Sequence, residues 1–490
     1  MFRLGYLLLI GLFLTSEAGG PGAHAAHARN LPVAEERALN PTAPDVPPPY
    51  TIYLPALFKN FAAGFVVPFG VDMYDGDTDA LGRQKMQAAG SAWMTVHFSW
   101  SSIEPSAPIS GVHAYNWSGF DGTVERAQAF GMSLFVLFSD NPAWAATLRG
   151  GPVLPQHVVD LNSVMAAAAE RYDGDGNADL AGSPIVNYWS FYAEPDNGSL
   201  SRSQISDKGY WGNTPGAYAD MLAGVATAMH QANPNAVVMI GGLAYDYFAP
   251  PGPYVKTFLG GVLDALNLKP GGAAAYLGAM AFHFYPINTA VWPTIKEKAQ
   301  EIRGILTARG LGSLPLIVPE MGYWSATVPG NPAFDSSEPQ QARILVEMFV
   351  RGLAVDIKQM SWFMVFDSGP GTEAHGLFRG VDLTSPKPAY TAYATLTSEL
   401  YGAKYTSALS GPGLEGYVFA TASGPQKTVV WAVNQASANI TFHQSCVRRV
   451  DYLGAVAAIG DGDPTWDKDA TVGQITLQVL RDQPIYVSGC

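Results

Sequence analysis

From residue 64 onward, short runs that are apolar on both faces alternate with longer stretches carrying apolar residues at helical spacing. The short runs fall at residues 65–73, 92–100, 132–140, 185–194, 236–244, 279–286, 315–322 and 360–367, rich in β-branched and aromatic residues. A strand apolar on both sides is one covered on both sides, as in a parallel sheet. The helical stretches at residues 79–90, 120–131, 157–172, 216–232, 294–310 and 339–355 lie between them, and several close on glycine. Eight such runs alternating with helical stretches predict an α/β fold, a (β/α)8 barrel. An open doubly wound sheet is the rival, but no glycine-rich phosphate loop follows the first run. After residue 400 the texture changes. Runs of period two, separated by Gly, Asp and Pro, predict a small all-β domain, a β-sandwich.

The two ends of the chain add a compartment. Arg3, an apolar run at residues 4–14 and small residues ending in Ala-His-Ala match a secretory signal peptide over residues 1–28. That apolar run is too short to cross a bilayer in the mature protein, and no later stretch reads as a span. Residues 29–62 are dotted with proline and read as a linker, leaving a barrel over 63–400 and a β domain over 401–490. The two cysteines, Cys446 and Cys490, both lie in the β domain. In a secreted protein they can pair and tie down the last strand; two unpaired thiols are the alternative.

Composition narrows the partner. The 490 residues are 48% hydrophobic and 12% aromatic, with a net charge of −13 and no dense basic run, which argues against nucleic acid and suits an uncharged polar ligand such as a carbohydrate. In a (β/α)8 barrel the working face is at the strand C-terminal ends. Two glutamates stand there: Glu194 closes the fourth run and Glu320 lies in the seventh. A carboxylate at the end of an apolar strand costs free energy unless it has a partner or a task. A pair of carboxyls, one protonated and one ionised, is what retaining glycoside hydrolysis uses. Aromatic rings near the strand ends offer flat faces to the C–H side of a sugar; Trp100, Trp144 and Trp362 are candidates. No cofactor or metal is expected. Asp173, Asp175, Asn177 and Asp179 space their oxygens like a calcium loop, but Ala178 and Pro184 occupy the positions that need Gly and Glu, so a solvated polar turn is expected.

These motifs together resemble the clan A glycoside hydrolases, in the manner of families 39 and 5. The run ending Tyr-Ala-Glu-Pro at Glu194 resembles that clan's fourth strand, which ends Asn-Glu-Pro. The Trp-Ser…Glu-Pro segment from Trp100 to Pro105 is similar to its second-strand turn, and His283 and Tyr285 match its sixth strand. The resemblance implies Glu194 as acid/base, Glu320 as nucleophile, Tyr285 bonded to the nucleophile, and Trp362 as the floor of the sugar subsite. His283 is expected either to orient Tyr285 or to touch substrate, with a hydrogen-bonded core histidine as the alternative, and the family pattern implies that Glu104 is structural. Two positions depart from the pattern. Ala193 stands where an asparagine usually holds the sugar 2-hydroxyl, and Thr95 stands where an arginine is frequent; His97, on the same face of the strand, is a partial substitute. A carbohydrate-binding protein on a degenerate barrel is therefore the alternative to a hydrolase.

Overall fold

The computed structural model describes residues 67–73, 80–199, 209–245, 253–287, 292–326, 335–367 and 374–490 except 423. The expected signal peptide and linker lie outside these residues. Residues from Gly64 to the C-terminus form one compact unit.

Eight strands close into a parallel barrel in chain order: β1 (Phe69–Asp72), β2 (Trp93–Ser99), β3 (Ser133–Ser139), β4 (Tyr188–Phe191), β5 (Val237–Leu243), β6 (Ala279–Phe284), β7 (Leu316–Met321) and β8 (Ile357–Trp362), with β8 pairing back on β1. Helices cross between them, and their N-termini show why they start where they do. Helix Ile295–Thr307 opens on a capping box in which Thr294 and Glu297 satisfy each other's backbone donors. Helix Glu338–Ala354 opens on Ser337, whose hydroxyl accepts from the Gln340 N–H. A helix at Phe258–Asn267, between β5 and β6, was not anticipated from the pattern. The lower barrel interior is plugged by Phe135, Met239, Ala279, Ala281 and Ile317, so the barrel is filled and chemistry is left to its upper rim.

Beyond helix Pro388–Leu400 the chain is all β. A six-stranded antiparallel sheet spans β9 (Lys404–Gly411), β10 (Leu414–Ala420), β11 (Lys427–Ala432), β13 (Cys446–Asp451), β14 (Val456–Gly460) and β16 (Ile485–Gly489). It packs on a two-stranded antiparallel sheet of β12 (Ser437–Phe442) and β15 (Ile475–Leu480) through a shared core that includes Val430, Val447, Leu477 and Val487. Cys446 and Cys490 are joined as a disulfide. Among the described residues no helix is long and apolar enough to cross a membrane. The Asp173–Asp179 turn uses its carboxylates on its own backbone: Asp173 accepts the Asp175 N–H, Asp175 the Asn177 N–H and Asp179 the Gly176 N–H.

Candidate active site

At the end of β4 the chain leaves the sheet through a turn with two non-glycine residues at positive φ, Tyr192 (64°) and Glu194 (51°). That conformation is disfavoured for residues with a Cβ and persists only where surrounding contacts enforce it. Here they do. Tyr192 N–H donates to Phe138 O and Glu194 N–H to Gly242 O, at 2.9 and 3.0 Å, while Gly209, Trp211 and Gly212 donate their N–H groups to the carbonyls of Ala193, Pro195 and Asn197. Gly241 makes the approach possible: a Cβ there would fall 1.7 Å from Tyr192 O. Asp196, fully buried, accepts the Ala244 N–H with both carboxylate oxygens, at 3.2 and 3.0 Å. Burial, with the Glu194 charge beside it, pushes the Asp196 carboxyl up to about 8, against the pull of the Ala244 N–H and of Lys298.

Glu194, His283 and Glu320 meet above this turn. In the strand register His283 of β6 stands opposite Glu320 of β7. Its Nδ1 lies 3.4 Å from Glu194 Oε1 and 3.6 Å from Glu320 Oε2. A carboxylate oxygen of each glutamate and a ring nitrogen of His283 lie within 4.8 Å of one another. Tyr285 donates its O–H to Glu320 Oε1 at 2.7 Å, and Tyr254 donates its O–H to Glu194 Oε2. The Tyr285 phenol is held well above its ordinary range by burial and then by the neighbouring Glu320 charge, with Asp72 and Glu194 adding, so it remains a donor. The Glu194 side chain is 1% exposed and that of Glu320 12%, so Glu320 is the more open of the pair. Lys298, buried on the inner face of helix Ile295–Thr307, donates to Leu243 O and His283 O at 3.2 and 2.9 Å and ties the ends of β5 and β6 together.

The remaining candidate residues are placed differently from one another. His97 is exposed at the upper end of β2. Thr95, two residues below on the same face, bonds Pro319 O and Ser361 Oγ, both at 2.9 Å, and so braces the strand that carries Glu320. Trp362 does not floor the site as expected. It is 0% exposed and its Nε1–H donates to His375 O at 3.0 Å. The reason is the phase of β8: Gln359 and Ser361 bond each other, and Ser361 reaches Thr95, within the barrel, so Trp362 points outward and the next residue inward. That residue, Phe363, is half-buried beside Tyr285 and His375, with ring centroids 6.2 and 5.8 Å away. Trp100 is likewise fully buried and not a sugar platform. Its indole N–H donates to Glu104 Oε2 at 3.0 Å, and the half-buried Trp144 donates to Glu104 O at 3.1 Å. Glu104 also meets His113 Nδ1 at 2.7 Å, which makes it a buried anchor for these loops.

Four residues of the site went unread in the sequence: Tyr254, Asp72, Asp196 and Phe363. Tyr254 lies in a proline-rich loop with no periodicity to fix its direction. Asp72 ends the short β1, and Asp196 was visible only as a turn residue. Phe363 follows from strand alternation once one residue of β8 is known to face inward.

No protein-family model matches the sequence, and no curated protein matches it. The fold, by contrast, is similar to those of solved glycoside hydrolases. A family 39 glycoside hydrolase from Bacteroides cellulosilyticus WH2 superposes with a TM-score of 0.62 at 16% identity, over 88% of this chain and 81% of that one. The GH39 enzyme from Xanthomonas axonopodis pv. citri gives 0.57 at 14% identity, over 87% and 94%. A GH30 endoxylanase from Clostridium papyrosolvens C71 gives 0.56 at 13% identity, over 86% and 96%. The chain thus shares with clan A glycoside hydrolases of families 39 and 30 the eight-stranded parallel barrel followed by a C-terminal β region.

Proposed function

We propose that this chain is a secreted retaining glycoside hydrolase, with Glu194 as acid/base and Glu320 as nucleophile. The observation that carries the reading is the meeting of Glu194 and Glu320 around His283, with a carboxylate oxygen of each within 4.8 Å of the other. Retaining enzymes hold their carboxyls about 5–5.5 Å apart, whereas inverting ones leave about 6.5–9.5 Å for a water. In the first step Glu194 gives its proton to the glycosidic oxygen as the C1–O bond breaks, and a Glu320 oxygen bonds to C1. In the second, Glu194 takes a proton from water, whose oxygen displaces Glu320 from C1. Tyr285 keeps Glu320 oriented for attack. No cofactor takes part in either step.

The chain carries a net charge of −13 and Glu320 is the more open carboxylate of the pair, which disfavours an anionic sugar and favours a neutral one. Structural neighbours described as an endoxylanase, a β-xylosidase and a glucosidase point toward neutral xylo- or gluco-configured substrates. The signal-peptide pattern and the Cys446–Cys490 bridge support export. A pure carbohydrate binder has no use for two mutually repelling carboxyls held within 4.8 Å of one another, whereas retaining hydrolysis requires them.

Hydrolysis of aryl glycosides and xylo- and gluco-oligosaccharides tests this reading. Glu320→Ala is expected to abolish turnover, and Glu194→Ala to slow unactivated substrates by about 10²–10⁴-fold. Azide is expected to restore turnover of activated substrates. Wild-type rates in both variants would overturn the assignment.

A further inference from the structure

We propose that Tyr254 is a positioning residue that fixes the transferable proton of Glu194 on Oε1, the oxygen on the side it shares with Glu320. The inference rests on the reading of Glu194 as acid/base and adds to it a residue that the sequence pattern gave no reason to choose.

The two oxygens of Glu194 have different neighbours. Oε1 lies 3.4 Å from His283 Nδ1, which is itself 3.6 Å from Glu320 Oε2, so Oε1 looks across the gap in which a glycosidic bond would lie. Oε2 accepts the phenolic O–H of Tyr254. A carboxylic acid carries one proton, and an oxygen already accepting a donated O–H is the poorer place for it. Tyr254 can only donate to Oε2 while it keeps its proton, whereas His283 Nδ1 can accept one from Oε1, so protonation falls to Oε1.

Tyr254 is not a chance neighbour, because its backbone is built onto the turn that carries Glu194. Gly198 N–H donates to Pro253 O at 2.7 Å and Val255 N–H to Asp196 O at 2.8 Å, an antiparallel bridge that sets Tyr254 opposite Asn197. Tyr254 is 8% exposed and its hydrogen bond to Glu194 is buried, so that bond is shielded from water. The phenol keeps its own proton throughout. In the first step the proton leaves Glu194 Oε1 for the glycosidic oxygen as the C1–O bond breaks; in the second, Oε1 takes a proton from the attacking water. Among the described residues, the other charged or titratable groups gathered about this turn and its carboxyls include His283 and Tyr285 of β6, Glu320 of β7, Asp72 of β1, Asp196 of the Glu194 turn and Lys298 of helix Ile295–Thr307. None of these is altered by replacing the phenol.

Tyr254→Phe keeps the ring and removes the donor. A donated hydrogen bond favours the ionised carboxylate, so its loss moves the high-pH limb of kcat/KM upward. A glycoside with an alkyl or sugar leaving group, which needs the acid, is expected to lose about tenfold or more in kcat. A 2,4-dinitrophenyl glycoside, whose leaving group needs no proton, is expected to stay within about twofold. Fluorotyrosine at the same position, a stronger donor of nearly the same shape, is expected to move the limb downward, and it guards against a folding defect in the Phe variant. An unmoved limb in both variants, or equal losses on both substrates, overturns the proposal.

Glu194→Gln, run beside them, separates the two readings. If it leaves the alkyl glycoside untouched, the acid assignment itself fails; if it abolishes that activity while Tyr254→Phe changes nothing, only the role of Tyr254 fails. A readout free of substrate is the ¹³C carboxyl titration of Glu194, assigned by its loss in Glu194→Gln. Its midpoint is expected to rise in Tyr254→Phe, and an unchanged midpoint counts against the proposal.

Discussion

Glu194 and Phe363 show what a single position gains from its neighbours. The strand-end glutamates were visible because a charged group has little reason to end an apolar run unless the fold delivers it somewhere. The phase of β8 was not visible, because alternation says that every second residue shares a face but not which set faces inward. The Thr95–Ser361 hydrogen bond inside the barrel settles that phase, so Phe363 rather than Trp362 is the ring placed to serve as the proposed sugar floor. Two substitutions separate these roles. Phe363→Ala is expected to lower kcat/KM by about tenfold, as a flat ring at the mouth is lost, while the pH profile keeps its shape. Trp362→Phe removes the donor to His375 O and is expected to cost about 1–2 kcal/mol of stability, read as a lowered melting temperature, with kcat/KM near wild type. The reverse pattern would return the subsite to Trp362.

At the scale of elements, the barrel was legible where strands were apolar on both faces and helices carried an unbroken apolar stripe. Helix Phe258–Asn267 escaped although Phe258, Leu259, Val262, Leu263 and Leu266 repeat at helical spacing, because Gly260 and Gly261 interrupt the run. Strands β9 and β14 escaped because Lys404–Gly411 and Val456–Gly460 are largely exposed and carry little alternation. The packing of one strand on the next was beyond sequence altogether, and the site depends on it. Gly242 of β5 leaves the space that the His283 imidazole occupies: a Cβ there would fall 2.0 Å from both Cδ2 and Nε2. Gly242→Ala must therefore push the ring away from its place between the two carboxyls. The expected cost is about 1–3 kcal/mol of stability from overpacking, with a loss of kcat larger than that destabilisation explains. Kinetics and thermal unfolding on the same preparation check this. Wild-type kcat in a folded Gly242→Ala variant would show that His283 has no part in arranging Glu194 and Glu320.

For the whole molecule, the β region was legible as a separate texture, but the ion pairs that join it to the barrel were not, since they link residues far apart in sequence. Arg351 of helix Glu338–Ala354 donates to both oxygens of Glu415 on β10, at 2.8 and 2.7 Å, and lies over the Trp431 ring of β11. Glu399 of the last barrel helix receives Lys427 at 2.6 Å and Arg448 at 2.9 and 3.0 Å. Burial alone would raise the carboxyls of Glu399 and Glu415, but these cations more than offset it and hold both below their ordinary range. Their contribution to stability is thus present above the unfolded carboxylate range and is lost as pH falls through the depressed folded values. Glu347, one helical turn from Arg351, has the opposite sign. Burial pushes it up to about 7, with Asp482 and Glu415 adding and Arg351 opposing. A carboxyl raised on folding contributes fully below its unfolded value, near 4, and that contribution is lost as pH rises through about 7. Asp196, raised to about 8, adds a second loss of the same sign. Melting temperature against pH is therefore expected to peak on the acidic side of neutrality and to fall on both sides. Glu347→Gln, a permanently neutral near-isostere, is expected to flatten the alkaline fall by on the order of 3 kcal/mol while leaving the acid limb in place. An alkaline limb unchanged by Glu347→Gln would show that this carboxyl is already ionised at neutral pH, with Arg351 outweighing burial at the join between barrel and β sheet.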